Sequence, residues 1–95
     1  MINLKIDKDN FSIQGLKKYK YKKNYFNNRY TVYFFGYFRN TIDQIDKIIL
    51  NFKDRSFDQK NIEKIFRKIG GICTLVITGE DEVRICASLY HPYLK

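Results

Sequence analysis

The chain has 95 residues, a formal net charge of +8, sixteen aromatic rings split evenly between Tyr and Phe, and two cysteines. That length suits one small domain with a modest core, and the excess of cations argues against mimicry of a polyanion. No run is long and apolar enough to span a bilayer and no signal-peptide pattern is present, so the expectation is a soluble, cytoplasmic protein with no membrane partner.

The charge is uneven. Residues 1–40 hold nine Lys/Arg against two Asp, whereas residues 41–95 hold nine against eight acids. The expected organisation of the single domain 1–95 follows: a basic and aromatic β region over 1–40, a helix pair over 41–70, and a β-hairpin with a tail over 71–95.

Ile2, Leu4 and Ile6 alternate with Asn3 and Lys5, which predicts a short strand. Asp7 to Asn10 reads as a turn. Phe11 and Ile13 suggest a second brief strand, broken at Gly15. Lys17 to Phe26 is the basic stretch. Drawn as a strand, it places Tyr19 and Tyr21 on one face with Lys17 and Lys23, and Lys18, Lys20 and Lys22 on the other. Asn27-Asn28 tolerates positive φ, so a tight hairpin turn is expected there. Tyr30 to Phe38 is β-branched and aromatic throughout, the strongest strand signal in the chain. Gly36 inside it predicts a bulge or a close backbone approach.

Two helices follow. Thr41 and Gln44 fit a capping box, after which Ile42, Ile45, Ile48, Ile49 and Phe52 recur at helical spacing. Ser56 to Gln59 offers a second box, followed by a stripe of Ile62, Ile65, Phe66 and Ile69. Gly70 suits the position just past the helix end. Both stripes are expected to face a core. Next come two apolar runs separated by Gly79-Glu80-Asp81. A turn at Glu80-Asp81 sets Thr78 opposite Val83 and Leu75 opposite Cys86. One face then carries Cys73, Leu75, Ile77 and Cys86 with Arg84. The other carries Ile72, Val76, Val83, Ile85 and Ala87 with Thr74 and Thr78. Neither face is polar, which predicts central strands covered on both sides. The two cysteines sit diagonally, about 7–8 Å apart, too far for an unstrained disulfide. With one histidine and no CxxC, no zinc set and no cofactor are implied. In the tail, Pro92 ends regular pairing and His91 has no acidic or thiol neighbour. The expected fold class is α+β: a mainly antiparallel sheet of about five to six strands with two consecutive helices packed on it.

One resemblance extends over about two thirds of the chain. The segment Phe35-Gly36-Tyr37-Phe38-Arg39-Asn40 stands before the first helix. Gly71 to Ile77, Glu82 to Ala87 and His91-Pro92-Tyr93-Leu94 then follow in order. This succession resembles the glutamine amidotransferase domain of asparagine synthase-like proteins. The resemblance implies sheets with helices packed outside. It also implies an N-terminal cysteine nucleophile, and this chain departs from that pattern. It begins Met1-Ile2-Asn3, with no Cys, Ser or Thr before Ser12. Phe35 replaces the asparagine that helps to stabilise the oxyanion, and Ala87-Ser88 replaces an Arg-Asp pair. A degenerate, shortened and non-catalytic version is therefore expected, with no catalytic residue assigned. The alternative is a fragment or subunit of such an amidotransferase.

The candidate binding residues are Lys17, Lys18, Tyr19, Lys20, Tyr21, Lys22, Lys23 and Arg29. Lysines interleaved with tyrosines suit phosphate contact with base stacking, and they equally suit an acidic protein surface. The same lysines would also guard an exposed edge strand against aggregation, and the aromatic hairpin could pair with a second copy. A small basic binding or regulatory module is the reading these residues support.

Overall fold

A computed structural model describes residues 2–7, 19–79 and 82–88, with backbone alone described over 2–7. The brief strand expected at Phe11–Ile13, the cations Lys17 and Lys18, and the His91–Leu94 tail lie outside these residues.

Five strands form one antiparallel sheet in the order β1-β5-β4-β3-β2. They are β1 (Ile2–Asp7), β2 (Tyr21–Tyr25), β3 (Tyr30–Phe38), β4 (Gly71–Thr78) and β5 (Glu82–Ala87). Two helices, α1 (Ile42–Leu50) and α2 (Gln59–Lys68), fill the connection between β3 and β4. The class is therefore α+β, and among the described residues β1 and β2 are the edges.

The β4–β5 register pairs Leu75 with Cys86 and Thr78 with Val83, as the turn chemistry predicts. The Gly79 amide closes the hairpin by donating to the Glu82 carbonyl at 2.9 Å. On the helix side, Val32, Phe34, Leu75, Ile77 and Cys86 pack with Ile45, Ile49, Ile62 and Ile65 in one buried cluster. On the other side, Phe35, Val76 and Val83 form a second, smaller cluster. The middle strands are thus apolar above and below, the pattern of a strand buried on both faces.

Local chemistry explains most element boundaries. At α1 the Thr41 hydroxyl accepts from the Gln44 amide while the Gln44 side chain accepts from the Thr41 amide, a complete capping box. At α2 the cap is Asp58, not Ser56. The Asp58 carboxylate accepts from the Asn61 amide at 2.9 Å. Ser56 is drawn elsewhere, its hydroxyl donating to Asp54 and its carbonyl accepting from the Asn61 side chain. After α2, Gly71 takes the positive φ (+128°), one residue later than expected for Gly70. Ile69 leaves the helix in an extended conformation, and the Gly70 amide donates to the Asn40 side chain at 2.7 Å. A Cβ on Gly71 would lie 2.1 Å from the Tyr37 carbonyl oxygen, so glycine is required where β4 meets β3.

Gly36 has a φ of +96°, yet pairing runs through it without an inserted residue, so it marks a backbone twist and not a bulge. The β2–β3 turn is longer than a tight Asn-Asn pair. Phe26, Asn27 and Asn28 all have positive φ, and the Arg29 amide donates to the Phe26 carbonyl. For Phe26 the left-handed backbone costs about 1–2 kcal/mol. Its ring packs against Tyr25, Tyr30, Phe52 and Phe57, which offsets that cost.

Candidate nucleic-acid interface

Alternation along β2 divides its side chains between two environments. Tyr21, Lys23 and Tyr25 point toward the helices, and Lys22 and Asn24 point away. Tyr21 meets the rings of Phe34 and Phe38 in the core cluster. Lys23 forms an ion pair with Asp46 of α1, and the Tyr25 hydroxyl donates to the other oxygen of the same carboxylate at 2.5 Å. Burial, and then Asp46, raise the Tyr25 phenol far above its usual range, so it stays protonated as a donor. These three groups clamp the edge strand to α1. They serve the fold, and Lys23 is already neutralised.

The opposite side of the hairpin is arranged differently. Lys22 lies over the Tyr33 ring at 5.4 Å, and Tyr19 meets the same ring edge-on at 5.5 Å. Tyr19 and Tyr21 therefore do not share a face. The chain bends at Lys20, where strand β2 has not yet begun, and carries the Tyr19 ring to the helix-free side. The Lys20 backbone still holds to β3 through a 2.7 Å hydrogen bond to the Phe34 carbonyl. Its amine lies 5.7 Å from the centre of the helix-side Tyr21 ring, and the Arg29 guanidinium 5.5 Å from that of Tyr30, which also packs against the helix-side core, so these two cations stand at the rim of the hairpin. Lys20, Lys22 and Arg29 are exposed, and among the described residues none of them forms an ion pair. Three cations thus rest over tyrosine rings, their charge available to an incoming anion.

Elsewhere the chemistry is quiet. Cys73 and Cys86 are buried and unbridged. Burial pushes their thiols up to about 11 and about 12, so they are inert as nucleophiles near neutral pH. No cluster of three His, Cys, Asp or Glu side chains able to hold a metal occurs among the described residues. Asp54, in the loop before α2, is held below the usual carboxylate range, chiefly by a hydrogen bond from Asn61. A cavity of about 150 Å³ opens between that loop and the β4–β5 hairpin. Arg84, which lines it, bonds Glu82 on the same wall at 3.3 Å. No described helix is long and apolar enough to cross a membrane.

The residues that carried the amidotransferase resemblance have structural occupations. Phe35 is buried in the second cluster. Asn40 accepts from the Gly70 amide. Ala87 is buried, and the Ser88 hydroxyl accepts from the Cys73 amide at 3.0 Å. No protein-family model, no curated protein and no solved structure matches this chain.

Two positions escape sequence reasoning. Tyr37 and Ile72, partners in the β3–β4 register, are 62% and 54% exposed on the helix-free side. Their apolar character points to burial. The available signal is the neighbouring pair of glycines, Gly36 and Gly71, which marks where the backbone departs from an ordinary strand.

Proposed function

We propose that this chain is a non-catalytic binding module that holds single-stranded nucleic acid along the helix-free side of the β2–β3 hairpin. The supporting observation is Lys22, which lies over Tyr33 beside the exposed Tyr19 on that side and has no carboxylate partner among the described residues. Lys20 and Arg29, over the helix-side rings of Tyr21 and Tyr30, add exposed charge at the rim of the hairpin. Phosphates supply the missing anions, and bases stack on rings such as Tyr19, which is 42% exposed. An acidic protein would satisfy the cations equally well but would leave the rings without a matching flat partner. Inert thiols, and Phe35 and Ala87-Ser88 at the departures from the amidotransferase pattern, support a role without glutamine hydrolysis. The same lysines also discourage edge-to-edge pairing of β2, and that role needs no ligand.

The test is fluorescence anisotropy with labelled single-stranded and duplex oligonucleotides across a salt series. Single strands are expected to bind more tightly than duplexes, with log Kd linear in log salt. The double variant Lys20→Ala/Lys22→Ala should weaken binding and flatten the salt slope by about 1.4, at ~0.7 for each phosphate that no longer has a lysine beside it. An unchanged affinity for the double variant would reject this surface as the binding site and leave the lysines as edge guards.

A further inference from the structure

We infer that Tyr37 and Ile72 form a second base-stacking station, so that a bound strand runs lengthwise along β3 and is read at two separate places. This rests on the nucleic-acid reading above and extends it to a position outside the basic stretch. Tyr37 is the most exposed tyrosine among the large hydrophobic side chains of the described residues, and Ile72 beside it is also open. Paired in register, the two side chains form one small exposed apolar patch. It occupies the same side of the sheet as Lys22 and Tyr33, because Tyr33, Phe35 and Tyr37 alternate with Phe34, Gly36 and Phe38 along β3.

The backbone under Tyr37 is held from both directions. Gly71 packs so closely against the Tyr37 carbonyl that no side chain fits there. One step further, the Arg39 amide donates to the Gly70 carbonyl at 2.8 Å. A ring presented from a fixed backbone loses little freedom on binding, which is what a stacking platform requires. Phe35, midway between Tyr33 and Tyr37, is buried, so the surface offers two stations with a gap and not one continuous strip. Four steps along the strand separate them, about 13 Å at ~3.3 Å per residue. At about 3.4 Å per stacked nucleotide that gap spans roughly four nucleotides, and fewer when the strand is stretched. Lys22 lies at the Tyr33 end, so charge belongs to one station and apolar stacking to the other.

The experiment is an oligonucleotide length series, from about three to about twelve nucleotides, measured by anisotropy on the whole chain and on Tyr37→Ala and Tyr37→Phe. The intact chain should gain affinity in a step once the oligonucleotide is long enough to reach both stations. Tyr37→Ala should lose that step, about five- to a hundredfold for long oligonucleotides, and bind short ones as before. Tyr37→Phe should keep it. Tyr37 is exposed, so the alanine variant keeps its fold, which circular dichroism checks directly. Affinity that does not change with length, or a Tyr37→Ala loss equal at all lengths, overturns the second station while leaving the first reading in place. No binding at any length overturns both.

Discussion

The two faces of the sheet are made by the same strands, one residue out of step, yet they do different work. On the helix side, Val32, Phe34, Leu75 and Cys86 are fully buried against Ile45, Ile49, Ile62 and Ile65. On the other side, burial is confined to a patch around Phe35, Thr74, Val76, Val83 and Ala87, and the margin opens to Tyr19, Lys22, Tyr37 and Ile72. Even neighbouring lysines divide this way. Lys23 is paired with Asp46, and Lys22 lies over a ring with no carboxylate near it among the described residues. A period of two lets one strand anchor a core and display a surface without either duty constraining the other.

Leu75 carries the greatest weight on the core side of this contrast. It sits on central strand β4, wholly buried under the helices. Leu75→Ala should cost about 2–5 kcal/mol, a large share of the ~5–15 kcal/mol typical of a domain. Urea unfolding followed by circular dichroism should show a lower midpoint with the slope unchanged. A cost below about 1 kcal/mol would mean that the helix layer is not the main core.

Asp46 tests the seam between edge strand and helix. Asp46→Ala removes the acceptor shared by Lys23 and Tyr25 and leaves a buried hydroxyl without its partner. The expected cost is about 1–3 kcal/mol in the same unfolding experiment. Because Asp46 contributes to the raised Tyr25 phenol, the variant should also let that phenol ionise at lower pH in an ultraviolet titration. Burial, the larger cause, still holds it above the ordinary tyrosine range. A phenol titration that does not move would remove Asp46 from that account.

How much of this is legible in advance depends on how local the cause is. Strand β3 coincides with the aromatic, β-branched run Tyr30–Phe38, and the β4–β5 register is the one expected from the turn residues in the sequence. The Thr41–Gln44 box is legible because its partners are three residues apart. The cap of α2 is not. Ser56 and Asp58 are both good caps by type, and only the Asp54–Ser56–Asn61 hydrogen bonds decide between them. Of the candidate surface, the exposed cations Lys20, Lys22 and Arg29 can be picked out by charge alone. Lys23 cannot be separated from them, since its partner lies 23 residues away on a helix. Simple alternation puts Tyr19 on the wrong side, because a bend at Lys20 breaks the period of two. Tyr37 and Ile72 go unnoticed because side-chain type does not reveal whether a sheet margin is covered.

The mildest variants separate the faces most sharply. Lys23→Ala breaks the pair with Asp46 but leaves the Tyr25 hydrogen bond in place, and Lys23 is itself partly exposed. Its cost should be about 0.2–1 kcal/mol, the range of exposed ion pairs, with oligonucleotide affinity little changed. Lys22→Ala should alter stability by no more than about 0.5 kcal/mol, because the amine rests on the Tyr33 ring and holds no carboxylate among the described residues. It should nevertheless weaken oligonucleotide binding and lower the salt slope by about 0.7. Two adjacent lysines would then affect different measurements, one the unfolding midpoint and the other the binding curve. If both variants weaken binding equally, the cations act as a diffuse cloud and the division by face has no part in recognition.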